Sequence, residues 1–194
     1  MRTRPHATQP RPRARQCQTG AVRYLTIVRH AKATPAEAGE SDYERTLSGR
    51  GRRQCAQLRA WALDVEALGA FGPVTALVSS AARTRQTFRE AFEGTPFVSA
   101  VHFSDLIYNG RREVTAEDLL IDLTAIDPVT TSLLVVAHNP TVHDLVDTLA
   151  DESPEVLRGG YPLGGAIVMA LRDDQPVGLS RYRVVAHYVP DGAR

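Results

Sequence analysis

Residues 24–31 read Tyr-Leu-Thr-Ile-Val-Arg-His-Ala, a short apolar run that ends in an arginine and a histidine. Two later segments follow the same plan: residues 76–83 pass from an apolar run to an arginine, and residues 133–139 pass from one to a histidine and an asparagine. Apolar runs of this length predict buried strands. Ligands of an open α/β sheet gather outside the carboxyl ends of its strands. We therefore expect these polar groups to converge on one pocket.

Helical patterns alternate with these apolar runs. From Ser48, a predicted N-cap, apolar residues recur every three to four positions as far as Leu68. Further helices are predicted over 84–92, 115–126 and 140–149, and further strands over 97–103, 167–171 and 182–188. This alternation predicts an α/β fold, a three-layer α/β/α sandwich with a mostly parallel central sheet and antiparallel last strands. The most apolar run, 132–137, is expected at the sheet centre, and 97–103 near an edge.

The composition limits the possible classes of function. The 194 residues are 43% hydrophobic and 23% charged, as in one ordinary globular domain. A net charge of +1 gives no electrostatic reason to expect nucleic acid or an anionic membrane as a partner. No apolar stretch approaches the roughly 20 residues that cross a bilayer.

The first 20 residues differ from the rest of the chain. They hold five arginines, three prolines and no acidic residue, and they lack the apolar segment of a secretory signal. We expect residues 1–20 to form a disordered tail and the folded domain to span 21–194. A transit peptide or a nucleic-acid-binding arm is the alternative for the tail. Cys17 lies in the tail and Cys55 in a helical pattern, so neither is expected in a disulfide, which fits a reducing cytoplasm.

The converging residues have the chemistry of a phosphate site. A guanidinium matches phosphate oxygens with its planar fork of donors, and Arg83 falls near a helix start, where free N–H groups favour an anion. Each residue alone is also compatible with a structural role, as a hydrogen-bonded histidine or a solvated first-turn arginine. Their shared position at strand ends favours the phosphate site. A metal site is not expected, because His138 and His143 are five positions apart and do not share one helical face.

Four segments resemble the signatures of the histidine phosphatase superfamily, whose fold is phosphoglycerate mutase-like. They are 25–31 (the Arg-His-Gly/Ala signature), 42–51 (D-x-x-R-P-L-[ST]-x-x-G), 79–87 (S-P-x-x-R-[AT]-x-Q-T) and 136–140 (V-x-H-N-P). The resemblance spans roughly residues 22–172 in the family's order. The short chain and the Arg-His-Ala-Lys variant are most similar to SixA-type phosphohistidine phosphatases. Thr46 and Ser80 stand where the family often has proline.

The resemblance implies a role for each matching residue. His30 is the nucleophile and becomes a phosphohistidine intermediate. Arg29 and Arg83 bind the phosphoryl oxygens, and His138 donates a hydrogen bond to the phosphoryl group. Asn139 shapes the helix start and contributes to substrate binding. No metal is needed if two guanidiniums and a histidine neutralise the phosphoryl charge, and no cofactor is expected.

The general acid is the open point of this assignment. Larger members of the family carry a glutamate on an inserted segment that is shorter in this chain. Asp105 follows the third predicted strand and is the candidate, with a loop aspartate or helix cap as the alternative. A phosphoramidate leaving group needs less protonation than an alkoxide. General acid catalysis contributes about 10²–10⁴-fold, enough to decide between the two substrate classes.

The prediction is thus a metal-independent phosphatase acting on a phosphorylated small molecule or a phosphohistidine-bearing protein. Two alternatives remain at this stage. One is a broad small-molecule phosphomonoesterase or mutase, although the short loops argue against the enclosure that a mutase needs. The other is a phosphate-binding regulatory module without turnover. The sequence leaves the oligomeric state open.

Overall fold

The computed structural model describes residues 24–64, 68, 73–108, 114–115, 118–119, 132–171 and 181–191. Three predictions fall outside these ranges: the tail over 1–20 with Cys17, most of the helix over 115–126, and the turn between the last two strands near Asp173. The domain boundary at residue 21 therefore stays a prediction.

Strands and helices alternate along the described chain. In order they are β1 (Tyr24–Arg29), α1 (Gly49–Asp64), β2 (Val74–Ser79), α2 (Ala82–Ala91), β3 (Val98–Ser104), β4 (Ser132–Ala137), α3 (Thr141–Leu149), a 3-10 helix (Glu155–Leu157), β5 (Ala166–Leu171) and β6 (Tyr182–Tyr188). The strand predicted over 132–137 agrees at both ends. Helix α2 begins at Ala82, two residues before its predicted start. In the described part, no helix has the length and apolar character needed to cross a membrane.

The six described strands form one sheet in the order β3-β2-β4-β1-β5-β6. The first four in this order run parallel, and β5 and β6 are antiparallel to their neighbours. Strand β4 lies between β2 and β1, and β3 lies at an edge, which confirms both predicted positions. The register pairs Arg29 with Ala137 and Val78 with Val136. The carboxyl ends of β1, β2 and β4 therefore meet at the same edge of the sheet.

Successive strand residues enter two apolar layers on opposite faces of the sheet, because side chains alternate along a strand. One layer joins β-strand residues such as Val28 and Val136 to Leu58 of α1 and Phe88 of α2. The other joins residues such as Val135 to Leu145 of α3. Helices thus cover both faces, and the three-layer α/β/α sandwich is confirmed. Strand β4 is buried throughout, which explains its nearly continuous apolar sequence.

The start of α1 is joined to the segment that follows β1. Ser48 Oγ accepts a hydrogen bond from the Gly51 N–H at 3.1 Å, which confirms the predicted N-cap. The Ser48 hydroxyl also donates to the Lys32 carbonyl at 2.9 Å. A Cβ at Gly51 would lie 2.1 Å from that carbonyl oxygen, so only glycine fits. These contacts hold α1 against the chain two residues beyond His30.

Candidate active site

His30 lies directly after β1, and its backbone is bonded on both sides. Its N–H donates to the Ala137 carbonyl at 3.1 Å, and its carbonyl accepts from the Gly164 N–H at 3.1 Å. Gly164 has a φ of 71°, a conformation that suits glycine. The His30 Nδ1 atom is 2.8 Å from the Ala31 carbonyl. Because a carbonyl only accepts, Nδ1 carries the proton and Nε2 presents its lone pair.

Arg83 lies in the first turn of α2, as predicted, and reaches His30. Its Nε–H donates to His30 Nε2 at 3.3 Å. Helix α2 is held beside His30 by Thr87, whose Oγ1 accepts from the Ala31 N–H at 3.0 Å. The Arg83 guanidinium is almost fully buried, with its side chain 7% exposed. A buried guanidinium beside an imidazole lone pair is suited to an anion that bridges the two groups.

Arg29, the last residue of β1, is held at the glycine-rich loop. One terminal nitrogen donates to the Tyr161 carbonyl at 2.5 Å. Tyr161 is fixed in turn, since its buried hydroxyl donates to the Ile27 carbonyl at 2.5 Å. The Arg29 Nε atom is buried and has no hydrogen-bond partner within the described ranges. Burial lowers the pKa of this guanidinium. A bound oxyanion would satisfy the remaining donor.

His138 follows β4 and is buried beside His30. The centroids of the His30 and His138 rings are 5.1 Å apart. His138 Nε2 lies 2.8 Å from Ser79 Oγ, at the end of β2. Its Nδ1 atom is buried and lacks a hydrogen-bond partner among the residues described. Asn139 is half-buried between β4 and α3, and its role in substrate binding stays a prediction.

Both histidines are neutral near pH 7. Burial lowers the pKa of His30 to about 3, with the charges of Arg83 and Arg29 adding to the effect and the hydrogen bond to Ala31 opposing it. Burial lowers the pKa of His138 to about 2, and the neighbouring His30 and Arg83 lower it further. A neutral imidazole can attack an electrophile, whereas imidazolium cannot. We call Arg29, His30, Arg83 and His138 the floor of the site.

A second group of residues surrounds the floor; we call Asp42, Tyr43, Asp105 and Tyr108 the rim. The Tyr108 hydroxyl donates to Asp42 Oδ2 at 3.1 Å. The Tyr108 ring centroid is 5.8 Å from Arg83 Cζ and 5.7 Å from the His138 ring. The sequence reasoning assigned no role to Asp42 or Tyr108. Asp42 is the first residue of the family-like segment 42–51. Arg83 donates hydrogen bonds to its backbone carbonyl and to its carboxylate, and these bonds form only when the loop has folded.

Asp105, the predicted general acid, lies on the rim and is exposed. Its carboxylate accepts from the Tyr43 hydroxyl at 3.1 Å and from the Ser80 hydroxyl. Tyr43 packs edge-to-face on Tyr108, with ring centroids 5.0 Å apart. Ser80 replaces a frequent proline of the family and so supplies a donor that proline lacks. The role of Asp105 in proton transfer stays a prediction.

No metal-binding cluster occurs in the described ranges, judged by groups of three or more His, Cys, Asp or Glu side chains. The site instead gathers two arginines and two neutral histidines at the carboxyl ends of β1, β2 and β4. Such a set can bind an anion, neutralise its charge and attack it with one imidazole.

Comparison with known structures identifies proteins with a similar fold. A protein from Agrobacterium tumefaciens assigned as a phosphohistidine phosphatase SixA is 25% identical, with a TM-score of 0.68 over 88% of this chain and 100% of the other. A protein from Nakamurella multipartitia with the same assignment is 24% identical, with a TM-score of 0.69 over 87% and 96%. The mycobacterial glucosyl-3-phosphoglycerate phosphatase Rv2419c is 18% identical, with a TM-score of 0.57 over 87% and 100%. No family model and no curated protein sequence matches this chain.

This chain has the fold of one class of phosphatases, the histidine phosphatase superfamily, and resembles its members. Within that class, its neighbours include structures assigned as SixA phosphohistidine phosphatases. The α/β fold predicted from the sequence and the resemblance to this superfamily are both confirmed.

Proposed function

We propose that this protein is a metal-independent phosphatase that hydrolyses phosphohistidine or other phosphoramidate and phosphomonoester substrates through a covalent intermediate on His30. The observation that carries the proposal is the distance of 3.3 Å between Arg83 Nε, a hydrogen-bond donor, and His30 Nε2, which bears the lone pair. The phosphorus of a substrate whose oxygen meets this donor would lie next to the nucleophile. The low pKa of His30, about 3, supports an imidazole that is ready to attack.

The proposed reaction has two transfers. In the first, the Nε2 lone pair of His30 forms a bond to phosphorus while the bond to the leaving group breaks and its electron pair departs with that group. In the second, water attacks phosphorus and the electron pair of the N–P bond returns to Nε2, releasing phosphate. Arg29 and Arg83 neutralise the equatorial oxygens, so positioning and charge stabilisation supply most of the rate.

His138 and Asn139 are proposed to complete phosphoryl binding. A neutral histidine has one N–H, and Ser79 can donate its hydroxyl proton to His138 Nε2 at 2.8 Å. The His138 proton would then lie on Nδ1, the ring nitrogen without a partner in the described part of the chain. We assign the hydrogen bond to the phosphoryl group to this Nδ1–H.

Asp42, the rim carboxylate that contacts Arg83, is not suited to protonate a leaving group. Burial by itself would raise the pKa of Asp42, but hydrogen bonding by Arg45 and the charge of Arg83 outweigh it and lower the pKa. Asp42 therefore stays ionised and does not serve as a proton donor. Asp105 remains the proposed acid for phosphoesters. A phosphoramidate such as phosphohistidine depends on it less, and SixA-assigned neighbours carry that substrate in their names.

The test compares a phosphohistidine peptide with p-nitrophenyl phosphate, each with and without EDTA. We expect His30→Ala to lower turnover of both substrates by about 10⁴-fold or more, as removal of a covalent nucleophile does. His143→Ala is the matched control, because this histidine pairs with Asp147 on α3. Its turnover should match that of the wild type.

Each other outcome would indicate a different function or mechanism for this protein. Undiminished turnover by His30→Ala would exclude the covalent intermediate. Loss of activity in EDTA would indicate a metal enzyme. Phosphate binding without turnover would indicate the regulatory module. Ester hydrolysis without phosphohistidine hydrolysis would indicate a small-molecule phosphomonoesterase. Location in the cytoplasm is part of the proposal and is tested by fractionation of cells.

A further inference from the structure

The Arg83 guanidinium uses its nitrogens for different tasks. Nε faces His30, whereas both terminal nitrogens are bonded to Asp42: one donates to its backbone carbonyl at 2.6 Å and the other to its carboxylate at 2.9 Å. A planar guanidinium held at two corners has one remaining orientation. We propose that Asp42 is a positioning residue that aims the Arg83 Nε–H at the reacting centre. This inference rests on the proposed function.

The Asp42 carboxylate is itself held on both oxygens. Arg45 donates to Oδ1 at 2.6 Å, and Tyr108 donates to Oδ2 at 3.1 Å. The Arg45 guanidinium is itself held in place, because its Nε donates to the Thr34 carbonyl at 2.8 Å. Arg45 and Tyr108 thus prevent Asp42 from following Arg83 when a substrate enters.

The loop that carries Asp42 is docked on α2. The Ala82 N–H donates to the Tyr43 carbonyl at 2.9 Å. Gln86, one turn further on, accepts at Oε1 from the Leu47 N–H at 2.7 Å. The loop is therefore hydrogen-bonded at both Tyr43 and Leu47 to the helix that carries Arg83. The distance between Asp42 and Arg83 is set by this docking and by the ion pair together.

The contact has two opposite consequences for a phosphoryl group. It places one donor correctly for the transition state, because misplacement of a reacting group by about 1 Å can cost about 100-fold in rate. It also keeps both terminal nitrogens, and part of the positive charge, away from the ground-state anion. Asp42 therefore speeds the chemical step and weakens the binding of free phosphate, which is a product of the reaction.

The experiment measures both consequences in Asp42→Asn, which removes the charge and keeps the size of the side chain. We expect kcat for p-nitrophenyl phosphate to fall about tenfold to 100-fold. We expect the Kd for inorganic phosphate, measured by calorimetry, to tighten about threefold to tenfold, with a smaller change at high salt. The two effects have opposite signs, which general damage to the site would not produce.

Three further variants keep the result interpretable. Asp64→Asn removes the same charge from the far end of α1, an exposed position, and should change neither quantity. Asp42→Glu restores the carboxylate and should return the phosphate Kd to within about twofold of wild type, with an intermediate kcat. Tyr108→Phe keeps the charge and should shift the phosphate Kd less than Asp42→Asn does.

The inference is overturned if Asp42→Asn weakens phosphate binding in step with the loss of kcat, or if neither quantity changes. If Asp42→Asn does not fold, Asp42→Glu decides the question by the same two measurements. A wild type without turnover on any substrate would contradict the proposed function. The phosphate Kd would still test the contact in that case, so the two failures are distinguishable.

Discussion

The floor and the rim of this site are built in different ways. The floor residues leave strand ends or begin a helix, and backbone hydrogen bonds to Ala137 and Gly164 fix His30. The rim residues lie on loops, and bonds between side chains connect them. The floor side chains are largely buried, whereas the Asp42 side chain is 48% exposed. This contrast is the basis of our proposal that the floor supplies the chemistry and the rim adjusts it for particular substrates.

Removing a floor cation is expected to have the largest effect of the remaining tests. Arg29→Ala should lower kcat/KM for p-nitrophenyl phosphate by about 10²–10³-fold, as loss of a preorganised donor does. Arg29→Lys should recover only part of this loss, because an ammonium keeps the charge but not the planar fork. Arg53→Ala, an exposed arginine of α1, is the control. Steady-state kinetics measures all three variants, and a loss below about threefold in Arg29→Ala would contradict the role of the floor.

Removing a rim acid is expected to have a smaller effect that depends on the substrate. Asp105→Asn should slow p-nitrophenyl phosphate hydrolysis about tenfold to 100-fold, since the ester oxygen needs a proton as it leaves. Hydrolysis of a phosphohistidine peptide should change less than about threefold. Asp144→Asn, exposed on α3, provides a matched loss of charge. Equal slowing of both substrates would exclude Asp105 as the acid.

The smallest expected effect is on stability, and it concerns the floor alone. The pKa of His138 is about 2 in the folded protein, whereas a histidine has its ordinary value of 6.5 when unfolded. Between these values the unfolded state binds the extra proton, so the free energy of unfolding falls as the pH is lowered below 6.5. His138→Gln should flatten this fall by up to about 1.4 kcal/mol per pH unit.

Urea unfolding of the wild type and His138→Gln at pH 7, 6 and 5 measures this difference. The variant will be less stable at pH 7 because it loses packing and the Ser79 contact. The informative quantity is the slope of stability against pH. Parallel curves for the two proteins would show that His138 is not held neutral by the fold.

Much of the fold was predictable because the apolar pattern and the burial pattern of a strand are the same property. Strand β4 illustrates this, since every residue of 132–137 is buried and the run has no charged side chain. A helix start near Arg83 was expected, but the predicted range of 84–92 omits Ala82 and Arg83, because these two residues carry no apolar periodicity. Its start depends instead on contacts such as the Ala82 N–H to the Tyr43 carbonyl.

The floor was predictable for a related reason. Parallel strands place their carboxyl ends at one edge, so residues that follow three such strands must lie near one another. The distance of 3.3 Å between Arg83 Nε and His30 Nε2 was not predictable, because it depends on the rotamer and tilt of elements separated by 53 positions.

The local sequence encodes the positions of the buried strands, the family resemblance and the residues that form the floor. It does so because each of these is written locally, in periodicity and in residues next to a strand end. The sequence did not reveal three contacts of the folded protein: Asp42 with Arg83, Tyr108 with Asp42, and Asp105 with Tyr43 and Ser80. These contacts join loops that are far apart in the chain, and they exist only once the packed sheet brings the loops together.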